Sequence, residues 1–225
     1  MTEENLTQNI ENRFDEETIE DLLNVFFKAT PLPIGFYGLK KTGKKSLISC
    51  IKNEEVKKEY ISGESMLDGK MTKDEDIEMK FNQFNFKLIC VYINPSNCKQ
   101  EIDLEINPDD DSSIFDCSLF NCFVANAIDK SSCDFIQSLY HCPSYSNWLL
   151  SSDNARMLIV THMDEKSDDK EDNIQKLTEF ANENNIKILF CNCLEDGEKI
   201  RLFFFEQIKD FVIRTMTHAM FNYDE

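Results

Sequence analysis

The clearest chemistry in this chain sits in nine residues, Gly38-Leu39-Lys40-Lys41-Thr42-Gly43-Lys44-Lys45-Ser46. Gly38, Gly43 and Lys44 stand in the register of G-x-x-x-x-G-K-[ST], the spacing of a phosphate-binding loop. Glycines at those places let backbone N–H groups turn inward around phosphate oxygens. The start of a helix adds the positive end of its dipole. Lys44 would reach the β and γ phosphates, and Lys40, Lys41 and Thr42 complete the stretch between the two glycines. The last motif position asks for Ser or Thr and holds Lys45, with a serine one residue late at Ser46. That hydroxyl normally binds Mg²⁺. An ammonium there puts a cation where a cation should be coordinated, so the loop predicts phosphate binding with metal-assisted hydrolysis impaired. The plain alternative is a basic loop that contains two glycines by chance.

The flanking residues supply the elements such a loop needs. Ile34-Gly35-Phe36-Tyr37 is short, apolar and strand-like, and Leu47-Ile48-Ser49-Cys50-Ile51 carries apolar residues at helical spacing. Upstream, Asp15 predicts a capped helix to about Lys28, with Ile19, Leu22, Leu23, Phe26 and Phe27 on one face. It reads as an extra helix packed on the main domain, or as a partner-binding helix. Thr30-Pro31-Leu32-Pro33 forces an extended entry to the first strand. Downstream, Asp76–Gln83 and Phe84–Ile93 predict a hairpin around a tight turn. Buried strands follow at Leu119–Ala127, Arg156–Thr161 and Ile186–Cys191. Helices are expected at Asp129–Tyr140, Asp172–Asn184 and Ile200–Met220. Apart from the hairpin, strands alternate with helices. The expected fold is α/β: a mostly parallel sheet with one antiparallel edge strand and helices on both faces. Residues 1–30 are an N-terminal extension with one helix, and 31–225 form a single domain.

Composition bounds the partners. The net charge is −18, so phosphate backbones repel the chain and nucleic acid is excluded as a partner. Positive charge nevertheless gathers around the loop, at Lys40, Lys41, Lys44, Lys45, Lys52, Lys57 and Lys58. That local reversal of sign supports an anion site. The nine cysteines lie mostly in apolar runs, with no C-x-x-C pair and no signal peptide, and read as reduced, buried thiols rather than a zinc site. The acidic stretch Pro108-Asp109-Asp110-Asp111-Ser112 lacks the glycine and distal glutamate of a calcium loop and reads as a solvated loop. No run approaches the roughly 20 apolar residues that span a bilayer. The C-terminus offers no cysteine for prenylation. No membrane span or lipid anchor is expected, and no metal ligand set.

This order of elements resembles the Ras-like small GTPases over about residues 33–218. The resemblance implies a Ras-like P-loop G-domain that binds GTP or GDP. The family's N-K-x-D box corresponds to Thr161-His162-Met163-Asp164, in which only the aspartate survives. Asp164 would accept hydrogen bonds from the guanine N1 and amine, and Thr161 is a tolerated variant. The plain alternative for Asp164 is a cap on the next turn. The S-A-K segment corresponds to about Asn192-Cys193-Leu194, where only the backbone could meet the base edge. At the D-x-x-G box, Asn94 replaces the aspartate and Asn97 the glycine that senses the γ-phosphate. Gln100 is the only residue there suited to orienting water, and it is shifted. Thr72 matches the threonine of the first switch by distance alone, and reads equally as an ordinary loop threonine.

The metal, γ-phosphate and base contacts are therefore all altered. The resemblance implies a divergent or pseudo-GTPase with Mg²⁺ weak or absent and no assigned catalytic residue. Such a protein acts as a signalling or trafficking module on effector or regulatory proteins. It is expected in the cytoplasm, meeting a membrane surface only through a partner. Phe190-Cys191-Asn192 and Asp210–Met220 also resemble the end of the C-terminal GTPase domain of the mitochondrial Rho (Miro) family. Two alternatives stay open. One is an active GTP-binding switch of Rab, Rho or Miro type with noncanonical motifs. The other is a nucleotide or sulfate kinase, against which the chain sets only four arginines, Arg13, Arg156, Arg201 and Arg214.

Overall fold

The structure is a computed structural model that describes residues 16–29, 32–56, 72–81, 84–93, 120–141 and 155–221. The strands are β1 (Leu32–Tyr37), β2 (Thr72–Phe81), β3 (Phe84–Ile93), β4 (Phe120–Asn126), β5 (Ala155–Thr161) and β6 (Lys187–Phe190). The helices are α1 (Glu16–Ala29), α2 (Lys44–Lys52), α3 (Lys130–His141), α4 (Lys170–Glu183) and α5 (Gly197–Phe221). The six strands form one sheet in the order β2-β3-β1-β4-β5-β6. Every neighbouring pair is parallel except β2 and β3, so β2 is an antiparallel edge strand, as expected.

Strand alternation divides the core in two. Leu32, Ile34 and Phe36 of β1, Phe120, Cys122 and Val124 of β4, and Met157 and Ile159 of β5 join one cluster. That cluster is closed by Leu23 of α1, Leu47, Ile48 and Ile51 of α2, and Ile200, Phe204, Ile208 and Phe211 of α5. Tyr37, Phe123, Ala125, Leu158 and Val160 point the other way, onto Phe135, Ile136 and Leu139 of α3 and Leu177 and Phe180 of α4. Strands buried on both faces are mostly apolar, which is why β4 and β5 read as largely hydrophobic runs, broken in β4 by the buried Asn121 and in β5 by Arg156. Aromatic contacts lock α5 down: Phe120 and Phe211 have ring centroids 4.6 Å apart, and Phe36 and Phe204 are 6.0 Å apart. The packed α1 matches the first of the two readings of the N-terminal helix, since its Leu23 is only 2% exposed.

Two details differ from expectation. β1 starts at Leu32 and so includes Pro33. Pro33 is tolerated because the ladder to β4 begins only at Ile34, which leaves a one-sided edge where a missing N–H does little harm. Thr72 is the first residue of β2, paired with Tyr92, rather than part of a loop. Residues 82–83, at the expected hairpin turn, lie outside the described residues, as do Asn94, Asn97, Gln100 and the acidic stretch 108–112. Among the described residues no helix is long and apolar enough to cross a membrane.

Candidate functional site

The loops after β1, β4, β5 and β6 all leave the carboxyl ends of parallel strands. Chain order reverses at β1: β3 lies on one side of it and β4 on the other. In open α/β sheets the crevice beside such a reversal is where ligands bind. The stretch Gly38–Ser46 lies there.

Both loop glycines have structural reasons of their own. A Cβ on Gly38 would lie 2.3 Å from the Val124 carbonyl oxygen and 2.9 Å from Thr42 Oγ1, so the loop hugs β4. Gly43 has φ of 84°, in the left-handed region that glycine enters freely, and hands the chain to α2. A Cβ there would meet the Thr161 side chain at 3.2 Å. Lys41 also lies in the left-handed region, with φ of 64°.

Lys44 is the first residue of α2 and only 8% exposed. Its Nζ donates to the carbonyl oxygens of Gly38 (2.5 Å) and Leu39 (2.6 Å), with Thr42 Oγ1 as a third acceptor at 3.4 Å. An ammonium has three donors. In the charged form all three are directed at the loop itself, and the neutral amine keeps two for the nearer Gly38 and Leu39 oxygens. Thr42 Oγ1 in turn donates to the Leu39 oxygen (3.0 Å), which tightens the same curl. Burial pulls the Lys44 pKa down to about 7. The other loop cations face solvent: Lys40, Lys41 and Lys45 are exposed, and Ser46 is half-buried. An exposed ammonium at Lys45 supplies no ligand for a divalent cation, so the donor set at that position does not fit Mg²⁺.

Thr161 ties the loop to the end of β5. Its Oγ1 lies 2.9 Å from the Thr42 oxygen, 3.2 Å from the Ala125 oxygen and 2.7 Å from His162 Nδ1. Thr161 has one hydroxyl proton for these three neighbours: the Thr42 and Ala125 oxygens only accept, and His162 Nδ1 donates to Oγ1 in one ring tautomer and accepts from it in the other. His162 adopts φ of 60° to reach this position. The next turn is fixed by Lys170, whose Nζ donates to the Met163 (2.5 Å) and Glu165 (3.1 Å) oxygens.

Asp164 is exposed at the tip of that turn. It lies beside the loop after β6. The Cys193 thiol there is pushed well above its ordinary range, first by its hydrogen bond with Cys191 and further by burial and the charge of Asp164. Within that loop Asn192 organises the backbone. Its oxygen accepts from the N–H groups of Glu195 (3.1 Å) and Asp196 (2.8 Å), and its Oδ1 accepts from Leu194 N (3.0 Å). Asn192 N donates to Asp196 Oδ2 (2.7 Å). The amides of Asn192 and Leu194 are thus taken internally, which narrows what a base edge could find there.

The fold therefore brings together Gly38, Thr42, Gly43, Lys44 and Thr161, and sets Asp164 at the neighbouring loop. Lys40, Lys41 and Lys45 share the edge but turn outward. Sequence reasoning missed the turn after β4, where Asn126 N donates to Ser132 Oγ (2.9 Å) and Ile128 N donates to Asn126 Oδ1 (3.0 Å). Asn173 Nδ2 clamps the same turn through the Ala127 oxygen (3.0 Å). The signal available was Asn126 followed three residues later by Asp129, a local side-chain capping pattern. No protein-family model matches the chain, and no curated protein matches it.

Proposed function

We propose that this chain is a divergent small-GTPase-like protein, a pseudo-GTPase that works as a protein-interaction module in signalling or trafficking, with weak or no guanine-nucleotide binding. The strand order, the antiparallel edge strand, a glycine loop after β1 and an aspartate after β5 support a Ras-like arrangement. The observation that carries the pseudo-GTPase reading is Lys44. Its Nζ lies against the Gly38 and Leu39 oxygens, with Thr42 Oγ1 further off at 3.4 Å, and a phosphate would have to compete with them. Lys45 stands exposed where a metal-binding hydroxyl belongs. If a nucleotide binds, the loop Gly38–Ser46 takes its phosphates, and Thr161 and Asp164 border its base. The phosphates supply negative charge in place of the loop carbonyls around Lys44, and no hydrolytic residue is assigned. The partners on this reading are effector or regulatory proteins in the cytoplasm.

The Thr161–Thr42 bond favours a second reading. It holds the phosphate loop and the Asp164 turn in one frame, as an active GTP-binding switch of Rab, Rho or Miro type would need. Releasing nucleotide from the purified protein and separating it by ion exchange decides between the two. The first reading expects none or a small fraction of one equivalent; one full equivalent of GDP or GTP would establish the second.

A further inference from the structure

A cleft of about 700 Å³ lies at the far end of α2 from the phosphate loop. Two distant stretches of chain build it: the end of α2 with Glu54, Glu55 and Val56, and the entry to α5 with Leu194, Glu195 and Glu198. All four glutamates are exposed. The floor is apolar, since Val56 and Cys193 pack against the core. Leu194, at the edge, is 46% exposed, one of the exposed large apolar side chains of the described residues. Arg201 also lines the cleft, but its Nη1 is turned to the Cys50 carbonyl at 3.2 Å. That carbonyl belongs to the last turn of α2, where it also accepts from Asn53 N (3.1 Å), while Ser49 O accepts from Glu54 N (2.8 Å) and Lys52 is the basic residue of the turn. Apolar lining and carboxylate rim favour the same ligand shape: a hydrocarbon stem with a positive head.

We propose that this cleft binds a lysine- or arginine-bearing segment of a partner protein, with the aliphatic stem along Val56 and Leu194 and the cationic head among Glu54, Glu55, Glu195 and Glu198. A cavity of this volume takes a ligand of several residues' side chains. The site is separate from the phosphate loop and stands whether or not nucleotide binds.

The test is fluorescence anisotropy on the full chain with a short labelled peptide alternating lysine and leucine. Glu54→Lys/Glu195→Lys reverses the charge at two of the four rim positions. Asp134→Lys/Glu183→Lys makes the same change in net charge on exposed positions of α3 and α4, across the sheet. Circular dichroism checks that each variant folds. The expected result is saturable binding that the rim reversal weakens by about tenfold and the control reversal by less than about twofold. Leu194→Ser should weaken it by about threefold through the lost stem contact. Absence of saturable binding overturns the proposal, and so does equal weakening by both reversals, which would mean net charge alone attracts the peptide. Binding that emerges only after Lys57→Glu/Lys58→Glu assigns the cleft to the chain's own next residues and overturns it too.

Discussion

The two ends of α2 make opposite use of charge. At its N-terminus, amides and dipole favour an anion and lysines cluster, yet the one buried lysine is folded back onto the loop's carbonyls. At its C-terminus, carbonyls and four glutamates favour a cation, and the cleft is open to solvent. A helix of nine residues, roughly 13 Å long, separates them. The contrast teaches that sign of charge alone does not make a binding site. What matters is whether the charged groups already have partners within the fold. At the basic end the one buried lysine is already bonded to the loop, whereas at the acidic end the four glutamates stand exposed on the rim, near Lys52 of the last turn and Arg201.

The largest effect should come from breaking the basic end. Gly38→Val would force side-chain atoms into the Val124 carbonyl, where even a Cβ would sit at 2.3 Å. A loss of about 3 kcal/mol or more is expected from urea unfolding, because the clashing atom is backbone and cannot rotate away. Wild-type stability in this variant would mean that the loop does not pack against β4.

Lys44→Met sharpens the same end through pH. Burial holds the folded Lys44 near 7 against an ordinary 10.5, so between those values the unfolded chain binds more protons than the folded one. Stability therefore rises with pH through this window. The penalty is absent above the unfolded pKa, grows as pH falls, and is complete below about 7. Urea unfolding of both proteins at pH 7, 8 and 9 should show the wild type gaining on Lys44→Met by about 1 kcal/mol per pH unit. A difference independent of pH would mean that Lys44 stays charged throughout, held by its three acceptors.

Thr161→Val keeps the shape and removes the hydroxyl. It removes the one hydroxyl proton held among the Thr42 and Ala125 oxygens and His162 Nδ1, and should destabilise by about 1–2 kcal/mol. The same variant should loosen the loop, read as faster amide exchange at residues 39–43. Unaltered exchange there would separate Thr161 from the loop. Lys45→Thr restores the motif hydroxyl at an exposed position. Its stability should stay within about 0.5 kcal/mol of wild type, so any new response to Mg²⁺ can be read without a folding artefact.

Much of the architecture was legible because burial on both faces favours mostly apolar strands, and because glycine at 38 and 43 marks a sharp passage from strand to helix. Phe120–Asn126 and Ala155–Thr161 advertise themselves this way. The site was legible only in outline. The register of Lys44 raises the expectation of a phosphate-binding lysine, but its actual acceptors depend on how the loop curls, and no local pattern encodes that curl. Thr161 was noticed for its place beside a base, while its hydroxyl turns out to join β5 to the loop. His162 gave no sign of its left-handed backbone, since histidine is not a residue that needs one. The cleft was invisible because Glu54 and Glu195 are brought together only by the sheet and α5.

The central claim is that the phosphate loop is closed by its own lysine and lacks a metal ligand at Lys45. A thermal-shift series with GDP, GTP and ATP, each with and without Mg²⁺, tests it most directly. The account predicts little or no rise in Tm, the same with and without Mg²⁺, and loss of any small nucleotide shift in a folded Lys44→Ala protein. A strong rise in Tm with GDP or GTP that requires Mg²⁺ would contradict it.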